Sequence, residues 1–174
     1  IQFFDISLAP IIEEIGFRVV LIGIPLFALY ANGSSLKLFG KSLWWPWKNI
    51  RSISTKKALT VIVIVGILFG AAHIFSDESW SSGKLAQAIA SGIIIGWVYY
   101  RYGLASAILI HWATNYFVYS YGYIVADINQ ISISNAFSHS LLSIVEIILV
   151  VTGIISIAVL VLNYVYSKKH ELEA

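Results

Sequence analysis

The stretch ALTVIVIVGILFGAAHIF, residues 58–75, contains no Asp, Glu, Lys or Arg. A hydrocarbon core is crossed by roughly 20 apolar helical residues, with a range of about 17 to 25. Backbone groups in lipid must bond within their own segment, so the stretch is expected to be a membrane helix. Working outward, four further apolar stretches meet the same length. One lies within Phe3 to Tyr30, interrupted by Pro10 and Pro25. The others run from about Leu85 to Tyr102, Leu104 to Ala126 and Leu141 to Tyr166.

In chain order these are helices A to E, with residues 58–75 as helix B. The expected fold class is all-α, a polytopic membrane helix bundle of about five transmembrane helices forming one transmembrane domain over residues 1–174. Within it, a motif-bearing core covers about 11–117, an interfacial loop about 32–57 and a C-terminal helix about 141–166.

Composition agrees. Of 174 residues, 59% are hydrophobic and 11% charged, with a mean hydropathy of +0.83. Soluble domains carry about 25% charged residues. A water-soluble core of this size could not hide so much apolar surface, so lipid must solvate most of it. The formal charge of +2 excludes nucleic acid as an expected partner. There is no cysteine, hence no disulfide framework and no thiolate metal site. There is also no methionine, not even at position 1, which reads as a fragment of a longer polypeptide.

Basic residues are sided. The A–B loop carries Lys37, Lys41, Lys48, Arg51, Lys56 and Lys57, beside Trp44, Trp45 and Trp47; the C–D turn carries Arg101, and the tail Lys168 and Lys169. Lys84 alone lies on the other side. Tryptophans collect at headgroup level and basic loops stay inside. The expected location is therefore integral to the cell membrane, with the A–B loop and the C-terminus cytoplasmic.

Charged residues near the bilayer centre cost roughly 2.5–3.5 kcal/mol each on insertion scales, so each needs a reason. Helix A holds Glu13, Glu14 and Arg18. Glu14 and Arg18 are spaced for an i,i+4 pair; a buried pair that merely orients helices is one reading. Glu13 points about 100° away from Glu14 in an α-helix, which leaves it without that cation and makes it the candidate general base. Helix B supplies Phe69 and His73, helix D His111 and Asn115 on one face. Taken singly, these are an interfacial histidine and interhelical hydrogen bonds, the latter worth about 0.6 kcal/mol each. Taken together, six polar residues on three apolar helices can activate water and hold an oxyanion. Glu13, His73 and His111 could also ligate a divalent metal such as zinc, although no His-Glu-x-x-His is present. Glu146 in helix E is a further acid.

The spacings Glu13-Glu14-x-x-x-Arg18, Phe69-x-x-x-His73 and His111-x-x-x-Asn115 resemble the CPBP family of CAAX prenyl endopeptidases and bacteriocin-processing or immunity (Abi) proteins. Residues 91–103 are similar to that family's small-residue helix, and the resemblance covers about 11–117. It implies an intramembrane endopeptidase in which Glu13 and His73 activate the attacking water. His111 and Asn115 would stabilise the oxyanion, with Glu14 and Arg18 as a supporting pair. The implied partners are membrane lipid and a membrane-associated or lipidated peptide or protein substrate. Two features depart from the pattern: Val19 stands where the family commonly has a small residue, and the family's helices before the first motif are not in this chain. The alternatives are a catalytically silent accessory or structural subunit of a larger membrane complex, and an ion or proton pathway through the same buried groups.

Overall fold

A computed structural model describes residues 2–33, 35–50, 52–76 and 82–173. The described residues are helical, without a strand. Helix α1, Gln2–Glu13, leads into a π-helix, Glu14–Gly23, and then into α2, Ile24–Tyr30. Short helices α3, Leu36–Trp44, and α4, Pro46–Asn49, follow. Next come α5, Thr55–Ser76; α6, Ser82–Tyr102; and α7, Leu104–Asn129. A single turn, α8, Ile133–Ala136, precedes α9, Ser140–Glu173.

One expectation changes. Pro10 does not interrupt the first helix but lies inside α1. The real discontinuity is the π-helix ending before Pro25, where the Ile24 N–H reaches back to the Val19 carbonyl. Proline lacks an N–H and clashes with the carbonyl of residue i−4, so a wider turn ahead of it relieves the conflict. Within the loop over 32–57, Ser35 caps α3 by accepting from the Leu38 N–H, and α4 begins at Pro46. Finally, among the described residues one helix, Thr55–Phe75, is both long and apolar enough to cross a membrane. Helices α6 and α7 have the length, 21 and 26 residues, but small, aromatic and polar side chains dilute their apolar character.

The chain divides into two compact units, residues 1–116 and 117–174. In the first, α5 and α6 pack closely because glycines remove the side chains between them. A Cβ on Gly66 would lie 2.5 Å from Ile93 Cγ1 and 3.0 Å from the Ile93 backbone nitrogen. The core beside this contact joins Ile22 and Leu26 to Ile62, Val65, Ile95, Tyr99 and Tyr100. The short α6–α7 turn is made by Gly103 at φ 93°, which L side chains rarely adopt. The same turn is clamped by Trp45, whose Nε1–H donates to the Arg101 carbonyl at 2.8 Å. Tyr99 Oη donates to the Leu43 carbonyl at 2.7 Å and ties α6 to α3.

In the second unit, Tyr119 and Phe137 pack edge to face with centroids 5.5 Å apart, over Gly122. Ser132 caps α8 through the Asn135 N–H. Along α9 the described apolar side chains are exposed, Ile147, Ile154 and Ile157 among them. The side chain of Glu146 lies outside the described residues.

Candidate active site

The site begins where the backbone widens. In an α-helix, Glu13 and Glu14 would diverge by about 100°. At the α1–π junction both instead reach the same imidazole. Glu14 Oε1 lies 2.8 Å from His111 Nδ1, and Glu13 Oε2 lies 3.8 Å from His111 Nε2. Long π-helices are rare, and π-turns concentrate at functional sites. The two acids share His111.

Glu14 is sealed in, at 0% exposure, with Arg18 at 1%. Glu14 Oε2 faces Arg18 Nε at 3.1 Å. The other guanidinium nitrogens meet no hydrogen-bond acceptor among the described residues. Arg18 Cζ instead lies 4.5 Å above the Phe69 ring, a cation–π contact that partly replaces lost hydration. Phe69 is the hub of the apolar packing. It meets Phe17 edge to face at 5.0 Å, His73 at 4.3 Å and His111 at 6.2 Å.

His73 is oriented by its own helix. Its Nδ1 lies 2.8 Å from the Phe69 carbonyl oxygen, which can only accept, so Nδ1 carries a proton and donates. This turns Nε2 toward Glu13 Oε2, 3.8 Å away. Glu13 Oε2 thus faces Nε2 of both His73 and His111 at 3.8 Å, and no described residue donates a hydrogen bond to it. These separations exceed hydrogen-bond length and suit a bridging water. Exposure grades across the cluster. The Glu13 and His73 side chains are 28% and 26% exposed, against 9% for His111. The Glu13 carboxylate is reachable, while Glu14 and His111 behind it are closed off.

The structure therefore brings Glu13, Glu14, Arg18, Phe69, His73 and His111 together. Asn115, one turn beyond His111 on α7, is partly buried. No hydrogen bond ties its carboxamide to the cluster among the described residues. Among those residues no group of three or more His, Cys, Asp and Glu side chains is arranged to hold a metal ion.

Residue patterns gave no hint of the contacts that dock α1 on α7. Trp112 Nε1–H donates to the Ser7 carbonyl at 3.1 Å, and Ser7 Oγ and Tyr116 Oη are 2.7 Å apart. Serine and tyrosine 109 positions apart carry no local signal. The role of Phe69 as a platform, by contrast, follows from its fixed offset to His73.

Fold and site define an all-helical protein with a buried ionisable cluster and many exposed aliphatic side chains. Residues 2–117 match the family model described as type II CAAX prenyl endopeptidase Rce1-like. The chain belongs to that family, whose members are membrane-embedded proteases. No curated protein and no solved structure gives a significant match.

Proposed function

We propose that this protein is an intramembrane endopeptidase that hydrolyses a peptide bond of a membrane-associated or lipidated substrate, through a water held by Glu13 and His73. The observation that carries the reading is the Glu13 carboxylate facing two imidazole Nε2 atoms at 3.8 Å within an apolar protein.

The membrane setting rests on the distribution of side chains. Glu14, Arg18 and His111 are buried while Ile12, Ile64, Ile94 and Leu109 are more than half exposed. A protein in water would reverse that arrangement, because each buried unsolvated charge costs several kcal/mol. Lipid makes the outer aliphatic face favourable. On this reading α1 through α2, α5, α6, α7 and α9 are the five spans, and the basic α3–α4 region and C-terminus face the cytoplasm of a cell-membrane protein.

The reaction needs three acts. A water in the gap donates one proton toward Glu13 Oε2 and the other toward His73 Nε2. Its oxygen attacks the substrate carbonyl carbon as Glu13 takes the first proton. The charge that develops on the carbonyl oxygen is met from α7 by the Asn115 carboxamide N–H, and by His111 if its Nε2 carries a proton. The C–N bond then breaks as Glu13 returns its proton to the departing amine. One carboxylic acid and one amine result. Glu14 and Arg18 touch no reacting atom; they hold His111.

The test is a double-mutant cycle. General acid–base groups contribute about 10²–10⁴-fold. Glu13→Gln and His73→Ala should each lower kcat by about that much. The double variant should lose little more, because both groups serve one step. Additive losses would refute a shared water. Loss of a co-purifying complex without any change in cleavage would favour the accessory-subunit reading.

A further inference from the structure

The segment around α4 lines an open cavity of about 490 Å³, bounded by Trp45, Trp47, Lys48, Ile50 and Ile53. Small-molecule sites run to roughly 300–1,000 Å³, so it has room for a ligand. Its aliphatic lining is buried, with Ile50 and Ile53 at 2% and 7% exposure. Its two tryptophans are fixed from behind. Trp45 Nε1–H donates to the Arg101 carbonyl at 2.8 Å, and Trp47 meets Tyr100 edge to face with centroids 5.6 Å apart. The cavity is no part of the catalytic cluster: from Thr55 to His73, α5 runs about 27 Å at 1.5 Å per residue.

Both tryptophan rings already carry a cation. Lys48 Nζ lies 4.9 Å from the Trp45 ring centroid, and Arg101 Cζ lies 4.1 Å from that of Trp47. Neither cation forms an ion pair among the described residues, whose pairs all lie in the catalytic cluster. The neighbouring sequence offers no acid: Asp and Glu are absent from Ile15 to Ser76 and from Ser82 to Ala126. Beside the Trp47 wall, the buried Tyr100 hydroxyl has no hydrogen-bond partner among the described residues. Two cations without a carboxylate call for an anion from outside the chain.

We propose that this cavity binds the phosphodiester of an anionic glycerophospholipid from the surrounding bilayer. Lys48 and Arg101 supply the charge, and the glycerol–acyl junction rests on Ile50 and Ile53. Free phosphate fits less well, because a hydrated inorganic ion leaves the apolar half of the lining unused. A choline lipid has the same phosphodiester but adds a quaternary ammonium. Aromatic faces can hold such a group, yet here it would have to displace the two cations already on them. Tryptophans beside basic residues place the cavity at headgroup level. The proposal rests on the membrane setting and not on the peptidase chemistry, so its test involves no cleavage.

The full chain, delipidated in detergent, is titrated with phosphatidylglycerol or phosphatidylcholine, and bound lipid is counted by native mass spectrometry. A single phosphatidylglycerol should bind saturably, on the order of tenfold tighter than phosphatidylcholine, and millimolar inorganic phosphate should not displace it. Lys48→Gln and Arg101→Gln should each weaken it about fivefold, the scale of one basic residue at an anionic lipid surface. Lys37→Gln removes the same charge from the exposed start of α3, outside the cavity, and should leave binding unchanged. Equal affinity for the two lipids overturns the proposal, as does undiminished binding by folded Lys48→Gln and Arg101→Gln. Equal weakening by Lys37→Gln overturns it too, since that marks diffuse surface charge. Displacement by phosphate overturns it as a site for a free anion. If a variant does not fold, the wild-type lipid preference and the phosphate competition decide alone.

Discussion

At the residue scale, two successive glutamates have opposite surroundings. Glu14 is enclosed, with Arg18 and His111 on its two oxygens, whereas Glu13 is 28% exposed and faces the Nε2 atoms of His73 and His111. The residue types and the i,i+4 spacing of Glu14 and Arg18 were legible in the sequence. The pairing of Glu14 with His111 was not, because it joins positions 97 apart through a helix junction that no local pattern encodes. Arg18 yields a stability prediction. Removing one member of a buried ion pair leaves an uncompensated charge and costs about 3–5 kcal/mol. Arg18→Met should therefore lower resistance to denaturing detergent by about that much. Arg18→Met with Glu14→Leu should recover a large part of the loss, since apolar replacement of a whole pair is often neutral. A single variant as stable as the wild type would show that the pair is solvated.

At the element scale, the apolar runs 58–75, 85–102 and 104–126 reappear as α5, α6 and α7 with ends shifted by a few residues. Hydrophobicity alone locates such helices. It does not reveal that the first one changes hydrogen-bond register, since an i→i+5 turn has no composition of its own. Nor does it reveal α3 and α4, which are short, α3 starting at the Ser35 cap and α4 at Pro46. The α5–α6 contact depends on missing side chains. A methyl group on Gly66 would meet Ile93 at its side chain and its backbone nitrogen. Overpacking of this kind costs about 1–3 kcal/mol. Gly66→Ala should unfold earlier in detergent titration and, by shifting α5, should weaken the hold on His73. Gly16→Ala, where nothing lies within 4 Å of the new carbon, should show no such loss. Equal stability of Gly66→Ala and wild type would mean that the two helices are not in close contact.

At the scale of the whole molecule, the separation of charge is the organising fact. No acidic residue occurs from Ile15 to Ser76, and that span contains Lys37, Lys41, Lys48, Arg51, Lys56 and Lys57. Lys48 and Arg101 lie over the rings of Trp45 and Trp47, at 4.9 and 4.1 Å. Such a belt suits the headgroup zone of the cytoplasmic leaflet. The chain has no native cysteine, so Lys41→Cys, at an exposed position, provides a unique label. A membrane-impermeant maleimide should leave it unmodified in intact cells and modify it after permeabilisation. Ready labelling of intact cells would invert the proposed orientation.

All three scales meet in the claim that Glu13 is the base of a hydrolytic reaction, and the rate of Glu13→Gln tests it most directly. The purified chain, in lipid, is given a prenylated peptide ending in the CAAX pattern that the family description names. Glutamine keeps the size and hydrogen-bonding capacity of the side chain but cannot take the water's proton. Cleavage should fall by about 10²–10⁴-fold while the protein remains folded. Cleavage by folded Glu13→Gln at the wild-type rate would contradict the mechanism.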